Sequence, residues 1–414
     1  MELSRQNLIL IGVAAGVLAL GVGIVWANMA MGKDVDEALA ERGILSRKLQ
    51  NLDGPIQIEG RGALRINQNI VDKERQRVQE VKQALAEVIL DCARWNKRNF
   101  QVLSATIQGQ EIKAFPVDRV ASEKGTLPYN LTKAYIAAVD SLLDPLNVAV
   151  EVTQDELAAE IPLWEDKLRV SPEFKDLAKE EGQAIIAAAA RKRARDALVA
   201  RSIQGSLIYV EPGALDKRFD RPTEAAKFDA IWDAQVGLWT MQDIVEAIRL
   251  TNEKAVANEG NPSVTNSAIK RLVSIRVYGY VTEPPIDSLT GRFCSKQYDV
   301  IRYRFTVVMP LRFVPELERE LMALNYHTIL NVSVAASYVP PDSLFDYGPD
   351  PVMRVDFDGE LLLLTTWERG TWQPATGDQP GAWSEEFPPL MPIEKLRTLP
   401  EADSEPRDWP VDQR

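Results

Sequence analysis

The sequence predicts an α+β protein hung from a single N-terminal membrane helix. Three observations carry that prediction. Residues Leu8 to Trp26 form an unbroken apolar run with no charge and no proline. Between Val71 and Trp95, apolar side chains recur at heptad spacing. Toward the C-terminus, four stretches alternate apolar and polar residues, with helical stretches before the first and between the second and third.

A run of roughly 20 apolar residues is what an α-helix needs to cross the ~30 Å hydrocarbon core. A lone segment can satisfy its backbone there only as a helix. The apolar core of a cleaved signal peptide is shorter, about 7–15 residues, and this run closes with Trp26, a residue that favours the membrane interface. Residues 1–32 are therefore expected to be an uncleaved anchor, with Leu8, Gly12, Gly16 and Trp26 marking its faces and ends. Gly12 and Gly16 have the GxxxG spacing that lets a second helix approach closely. Arg5 before the span favours a cytoplasmic N-terminus and an exported body.

Residues 33–98 are expected to be a helical, coiled-coil-like stalk. Its first helix, Asp34 to Leu52, carries a thin seam of Val35, Ala38, Leu39, Leu45 and Leu49, and Asp53-Gly54-Pro55 ends it. The second runs from about Asn69 to Trp95. Val71, Val78, Leu85 and Cys92 occupy its a positions, and Val81, Val88 and Trp95 its d positions, with Glu74 the one polar d. Such a seam faces a partner helix. An amphipathic helix packed on its own domain is the alternative.

Residues 99–235 read as a mixed, mainly helical inserted region. A short strand is expected around Leu103 to Ile107 and a helix from Leu131 to Val150. Thr153 with Glu156 forms a capping box, and Ser171-Pro172-Glu173 opens another helix. The basic run Arg191, Lys192, Arg193, Arg195 lies among acids and reads as a solvated helix face.

In residues 236–372 a helix is expected from Thr240, with Thr240 and Asp243 as its capping box, to Ala257. Strands follow over Leu272 to Val281 and Tyr298 to Met309, then a helix opened by Pro315, then strands over Thr328 to Val339 and Val352 to Trp367. Period-two alternation means that each strand buries one face, which two helices can cover. The order α-β-β-α-β-β is a two-layer, circularly permuted ferredoxin-like arrangement. Residues 373–414, rich in Pro, Glu and Asp, are expected to be a disordered acidic tail.

The chemistry-bearing residues are few. A net charge of −12 argues against nucleic acid as a partner. Two cysteines, Cys92 and Cys294, are too few for a disulfide framework. The single histidine, His327, excludes a His-rich metal site, and any Ser/His/Asp triad would have to use it. It falls in a turn or at a strand start and reads as a surface or half-buried residue. Asp356, Asp358 and Glu360, spaced by two, share the solvated face of a strand. No phosphate-loop, dinucleotide, nucleophile-elbow or zinc-helix motif is present. No catalytic, cofactor-binding or metal-binding residue is assigned, and the chain is expected not to be an enzyme. An assembly component is the first reading. A membrane-anchored sensor or ligand- or peptide-binding module is the second.

One span, a charged stalk and a permuted α-β-β-α-β-β domain resemble the PilO/GspM type of inner-membrane component of type IV pilus and type II secretion machines. The resemblance covers Leu8 to Trp95 and Thr240 to Trp367, and it departs from that family in the insertion from Asn96 to Gln235 and in the tail. It implies a non-catalytic, single-pass scaffold of the bacterial inner membrane with its body in the periplasm. Such a protein pairs with a similar bitopic protein, or with itself as a homodimer, through stalk and domain. Its further partners would be other pilus or secretion platform proteins.

Overall fold

The computed structural model describes residues 56–58, 61–64, 68–97, 102–107, 109–116, 126–150, 152–174, 180–257, 261–286, 288–337, 344–373 and 382–400. The anchor positions Leu8, Gly12, Gly16 and Trp26 and the first stalk helix lie outside them. Among the described residues, no helix is long and apolar enough to cross a membrane.

The chain divides after Ala86 into two units. The first holds an antiparallel hairpin of β1 (Ile56–Ile58) and β2 (Arg61–Leu64), and the opening turns of α1 (Gln68–Lys97). No proline or glycine interrupts α1, and its composition favours helix formers such as Gln, Glu, Lys, Arg, Ala and Leu.

The second unit is α+β. It begins with the hairpin β3 (Ser104–Ile107) and β4 (Gln110–Lys113), the helix α2 (Leu127–Asp140) and a helical pair, α3 (Gln154–Arg169) and α4 (Glu180–Ile203). The capping box at the start of α3 forms, with Glu156 N–H donating to Thr153 Oγ1 and Thr153 N–H to the Glu156 carboxylate. Next come β5 (Tyr209–Val210), α5 (Phe228–Val256), β6 (Arg271–Tyr280), β7 (Tyr298–Met309), α6 (Val314–Leu324), β8 (His327–Ala336) and β9 (Met353–Leu364). The five strands make one sheet in the order β5-β6-β7-β9-β8, antiparallel except that β5 runs parallel to β6. The two-residue β5 falls within Ser206 to Val210, a stretch whose sequence reads as a short strand, and it adds an edge to the four strands expected of the C-terminal domain.

One sheet face and α5 share a core. Leu272 and Ile275 of β6, Ile301, Phe305 and Val307 of β7, and Val355, Phe357 and Leu361 of β9 are all buried. They pack with Trp232, Trp239, Ile244 and Ile248 of α5, and with Leu317 and Leu321 of α6. Burying each such side chain contributes about 1.5–3 kcal/mol. Phe305 and Phe357, opposite each other in the register, stack at 4.6 Å between ring centroids. Gly359 lies opposite Tyr303, and any Cβ there would overlap the tyrosine ring.

Several expectations need correction. The helix expected from Thr240 begins twelve residues earlier, at Phe228, so the 235/236 boundary falls inside α5. Thr240 is not a cap: its hydroxyl donates to the carbonyl of Val236 one turn back. The helix is buried on most sides, which erases the one-sided periodicity that marks a helix start in a sequence. The 99–235 region is also not a separate insert, because Leu127, Leu131, Tyr135 and Val139 of α2 join the same core as α5 and the sheet.

The far sheet face is not uniformly solvated. Val300, Thr306 and Val308 on it are buried, and Tyr209, Val264 and Tyr347 cluster with Val308. Of the three carboxylates, Asp358 pairs with Arg304 at 2.6 and 2.9 Å. Asp356 accepts from Thr306 at 2.5 Å. Glu360 is fully buried and accepts from the Ser288 and Thr290 hydroxyls at 3.0 and 2.9 Å.

The expectation of a disordered tail over 373–414 fails for 382–400. Beyond α7 (Thr365–Glu368), β10 (Trp372–Gln373) pairs with β11 (Ala382–Trp383), and α8 (Ile393–Leu396) follows. Phe387, Leu390, Met391 and Leu399 are buried in the main core. Four well-spaced apolar residues outweigh the polar composition around them.

Candidate functional site

The expected partner-helix seam lies on α1. Val78, Val81, Leu85 and Val88 are 40%, 62%, 52% and 56% exposed, and every residue from 72 to 89 is exposed. Val71 belongs to the same helix, one heptad earlier. The apolar stripe therefore has no cover among the described residues. A row of exposed aliphatic side chains at heptad spacing is the pattern found on helices that pair with another helix.

The same seam then enters the second unit and changes character. Cys92 and Trp95 are half-buried, and Trp95 lies 4.5 Å from Tyr326 between ring centroids. Asn96, fully buried, is the hub. Its Nδ2 donates to Asn325 Oδ1 at 2.6 Å and to the Leu362 carbonyl at 2.9 Å. Its Oδ1 accepts from Leu364 N–H at 2.7 Å and Trp367 Nε1 at 2.5 Å. Arg94 forks onto Glu386 at 2.5 and 3.0 Å, and Lys97 Nζ donates to the Glu386 carbonyl at 3.0 Å. Both cations sit in the last turn of α1, where they also complement the helix dipole. So four of the seven seam residues read from the sequence, Val78, Val81, Leu85 and Val88, are exposed on the helix, and the last two, Cys92 and Trp95, lie at its clamp.

Asn96, Arg94 and Glu386 were missed by sequence reasoning. Nothing in heptad spacing marks a polar residue just past the seam as buried, and Glu386 is 292 positions from Arg94.

Two further polar clusters sit inside the second unit. His327 is not a surface residue: its side chain is fully enclosed, with Nε2 2.9 Å from Asp243 Oδ2 and Nδ1 3.0 Å from the Tyr303 hydroxyl. Burial holds the Tyr303 hydroxyl well above its ordinary pKa. The phenol therefore keeps its proton, and with Asp243 it engages both ring nitrogens of His327. The trio ties α5, β7 and β8 together. A register shift between Ile329 and Asn331 lets the histidine at the start of β8 sit opposite Leu361, while Val332 and Val334 still face Phe357 and Val355.

The second cluster joins α7 to β7 and α5. Arg369 pairs with the buried Asp299 at 2.5 and 2.9 Å. Trp232 Nε1 donates to the Tyr280 hydroxyl at 2.6 Å, which donates to Glu368 Oε1 at 2.5 Å. Burial, reinforced by the neighbouring Asp299, pushes the Glu368 carboxyl well above the usual range. A second negative charge beside Asp299 is thus disfavoured at Glu368, while Asp299 itself is paired with Arg369. Among the described residues, no group of three or more His, Cys, Asp or Glu side chains is placed to hold a metal ion.

No protein-family model matches this chain, and no curated protein does. A solved structure from Akkermansia muciniphila aligns at 11% identity over 60% of this chain and 97% of that one, with a TM-score of 0.23. That likeness is too slight to carry an argument.

Proposed function

We propose that this chain is a non-catalytic, membrane-anchored scaffold of a type IV pilus or type II secretion-like assembly. It pairs with a similar bitopic protein through α1 and the C-terminal unit. The observation that carries this reading is the bare apolar stripe Val78, Val81, Leu85, Val88 on a helix whose last turns are locked by Asn96 and Arg94. A stripe left open on a helix held firmly at one end is suited to recruiting a second helix. The strand order supports the domain assignment. Taking β6, β7, β8 and β9 as first to fourth, the sheet order is 1-2-4-3 and antiparallel throughout. That is the ferredoxin-like order after circular permutation. The apolar run Leu8–Trp26 is long enough to serve as the anchor, and Arg5 before it favours a body on the periplasmic side of a bacterial inner membrane.

The test is Val81→Asp in the full chain. It sets a charge in the middle of the stripe without touching the second unit's core. Co-purification of membrane partners should be lost while thermal unfolding of the second unit is unchanged. Undiminished co-purification would refute the stripe as the pairing surface.

A further inference from the structure

The flanks of the stripe say what kind of helix it takes. With Val78 and Leu85 at a, and Val81 and Val88 at d, the flanking e positions are Arg75 and Lys82 and the g position between them is Arg77. All three are exposed, and Arg75 makes only a long, 3.8 Å pair with Asp72. Among the described residues Arg77 and Lys82 have no ion pair. Glu74 sits at a d position, in line with the stripe itself.

A second copy of this helix laid alongside in parallel would meet like charges at two levels of the seam, while the next g and e positions, Ala84 and Ile89, are uncharged. A g residue faces the e residue five positions on in its partner. Arg77 would therefore face Lys82 of the other copy, twice by symmetry, and Glu74 would face Glu74 across the seam. An antiparallel pair fares no better, because e then faces e and brings Arg75 and Lys82 together. Charges at e, g and a lone polar core position are the features that select partners in helix pairs.

Resting on the proposed pairing function, we infer that α1 rejects a second copy of itself and takes a different helix, one with acidic flanks and a basic core residue. The partner helix carries Asp or Glu at the e and g positions that face Arg77 and Lys82, and Lys or Arg at the d position that faces Glu74. Its remaining a and d positions are aliphatic, matching Val78, Val81, Leu85 and Val88. The assembly formed at this helix is thereby a heteromer, its composition set by charge rather than by apolar fit, which is equally good between identical copies.

A charge-swapped form of the same chain serves as a probe of known chemistry. Glu74→Lys, Arg75→Glu, Arg77→Glu and Lys82→Glu are combined in one full-length chain, and the unswapped full-length chain is expressed beside it under a different tag. Both carry Leu85→Cys and Cys92→Ser, and both are crosslinked in the membranes of the expression host. All the swapped positions are exposed, so the fold of the second unit is not at stake. The expected result is that mixed adducts exceed either self-adduct roughly tenfold or more. Self-adducts of the unswapped chain at a yield equal to the mixed ones would overturn the charge selection while leaving the stripe as a pairing surface. Absence of any adduct, mixed or self, would overturn both.

Discussion

Asn96 closes the long helix with one amide that uses both of its donors and its acceptor. Truncating it strands the Trp367 indole N–H and the Leu364 amide in a dry interior, and a buried group left unpaired costs about 1–3 kcal/mol. Asn96→Ala is therefore expected to cost the second unit about 3 kcal/mol, read as a lower urea midpoint. An unshifted midpoint would mean that the helix end is not held there. Lys270 makes a pH prediction. It is fully buried, and its Nζ donates to the carbonyls of Val264 and Thr265 at 2.9 and 2.7 Å. Burial pushes its pKa down to about 8, with Asp350 and Asp346 opposing the shift and Arg312 adding to it. Below that value both folded and unfolded states are protonated, and the full penalty of the buried ammonium is present. As pH rises from about 8 toward the unfolded value, the folded state sheds its proton first and stability rises. Wild type should gain about 2 kcal/mol between pH 8 and 10 relative to Lys270→Met, measured by urea unfolding at each pH. Equal gains in both proteins would remove the lysine as the cause. Neither residue announced itself in the sequence, because a buried polar side chain is defined by partners far along the chain.

Elements were more legible where one face is buried. Tyr298–Met309 was read with both ends correct, and the other three long strands within a few residues, because alternation with period two survives when one face is packed. Legibility failed where burial was not one-sided. The first twelve residues of α5, Phe228 to Trp239, were missed because Ile231, Trp232, Ala234, Gln235 and Val236 are all buried and leave no polar face. Glu360 looked solvated because it alternates in step with Asp356 and Asp358, whereas hydroxyls of Ser288 and Thr290, far from it in sequence, cap its carboxylate. The C-terminal segment was misjudged on composition. Phe387 is 1% exposed there, and Lys395 Nζ lies 2.7 Å from Asp233 and 4.6 Å from the centre of the Tyr280 ring. Removing a buried phenylalanine typically costs about 3–5 kcal/mol, more than a segment fastened at so few points can absorb. Phe387→Ala should release residues 382–400, with trypsin then cutting after Lys395 and Arg397 while the rest of the second unit resists. Cutting rates equal to wild type would show that the segment is held without that ring.

At the scale of the whole molecule, the structure is uneven in how well its backbone hydrogen bonds are shielded. Helix α5 and strand β7 lie in the main core, whereas residues 72–89 of α1 are exposed throughout. An isolated helix of about 20 residues is marginal in water, and most helical stability comes from packing an apolar face. The scaffold reading therefore makes a demand on the chain by itself: its pairing helix must be the weakly protected part. Hydrogen exchange on the purified full chain should show residues 72–88 exchanging orders of magnitude faster than residues 231–248 and 300–309, with protection resuming at 91–97, where Asn96 and Arg94 engage. Mixing with the charge-swapped chain should slow exchange at 78–88 and nowhere in β6 to β9. If residues 72–88 of the unmixed chain were as protected as α5, the stripe would already be covered, and a helix waiting for an acidic-flanked partner would no longer be needed to explain its exposed valines.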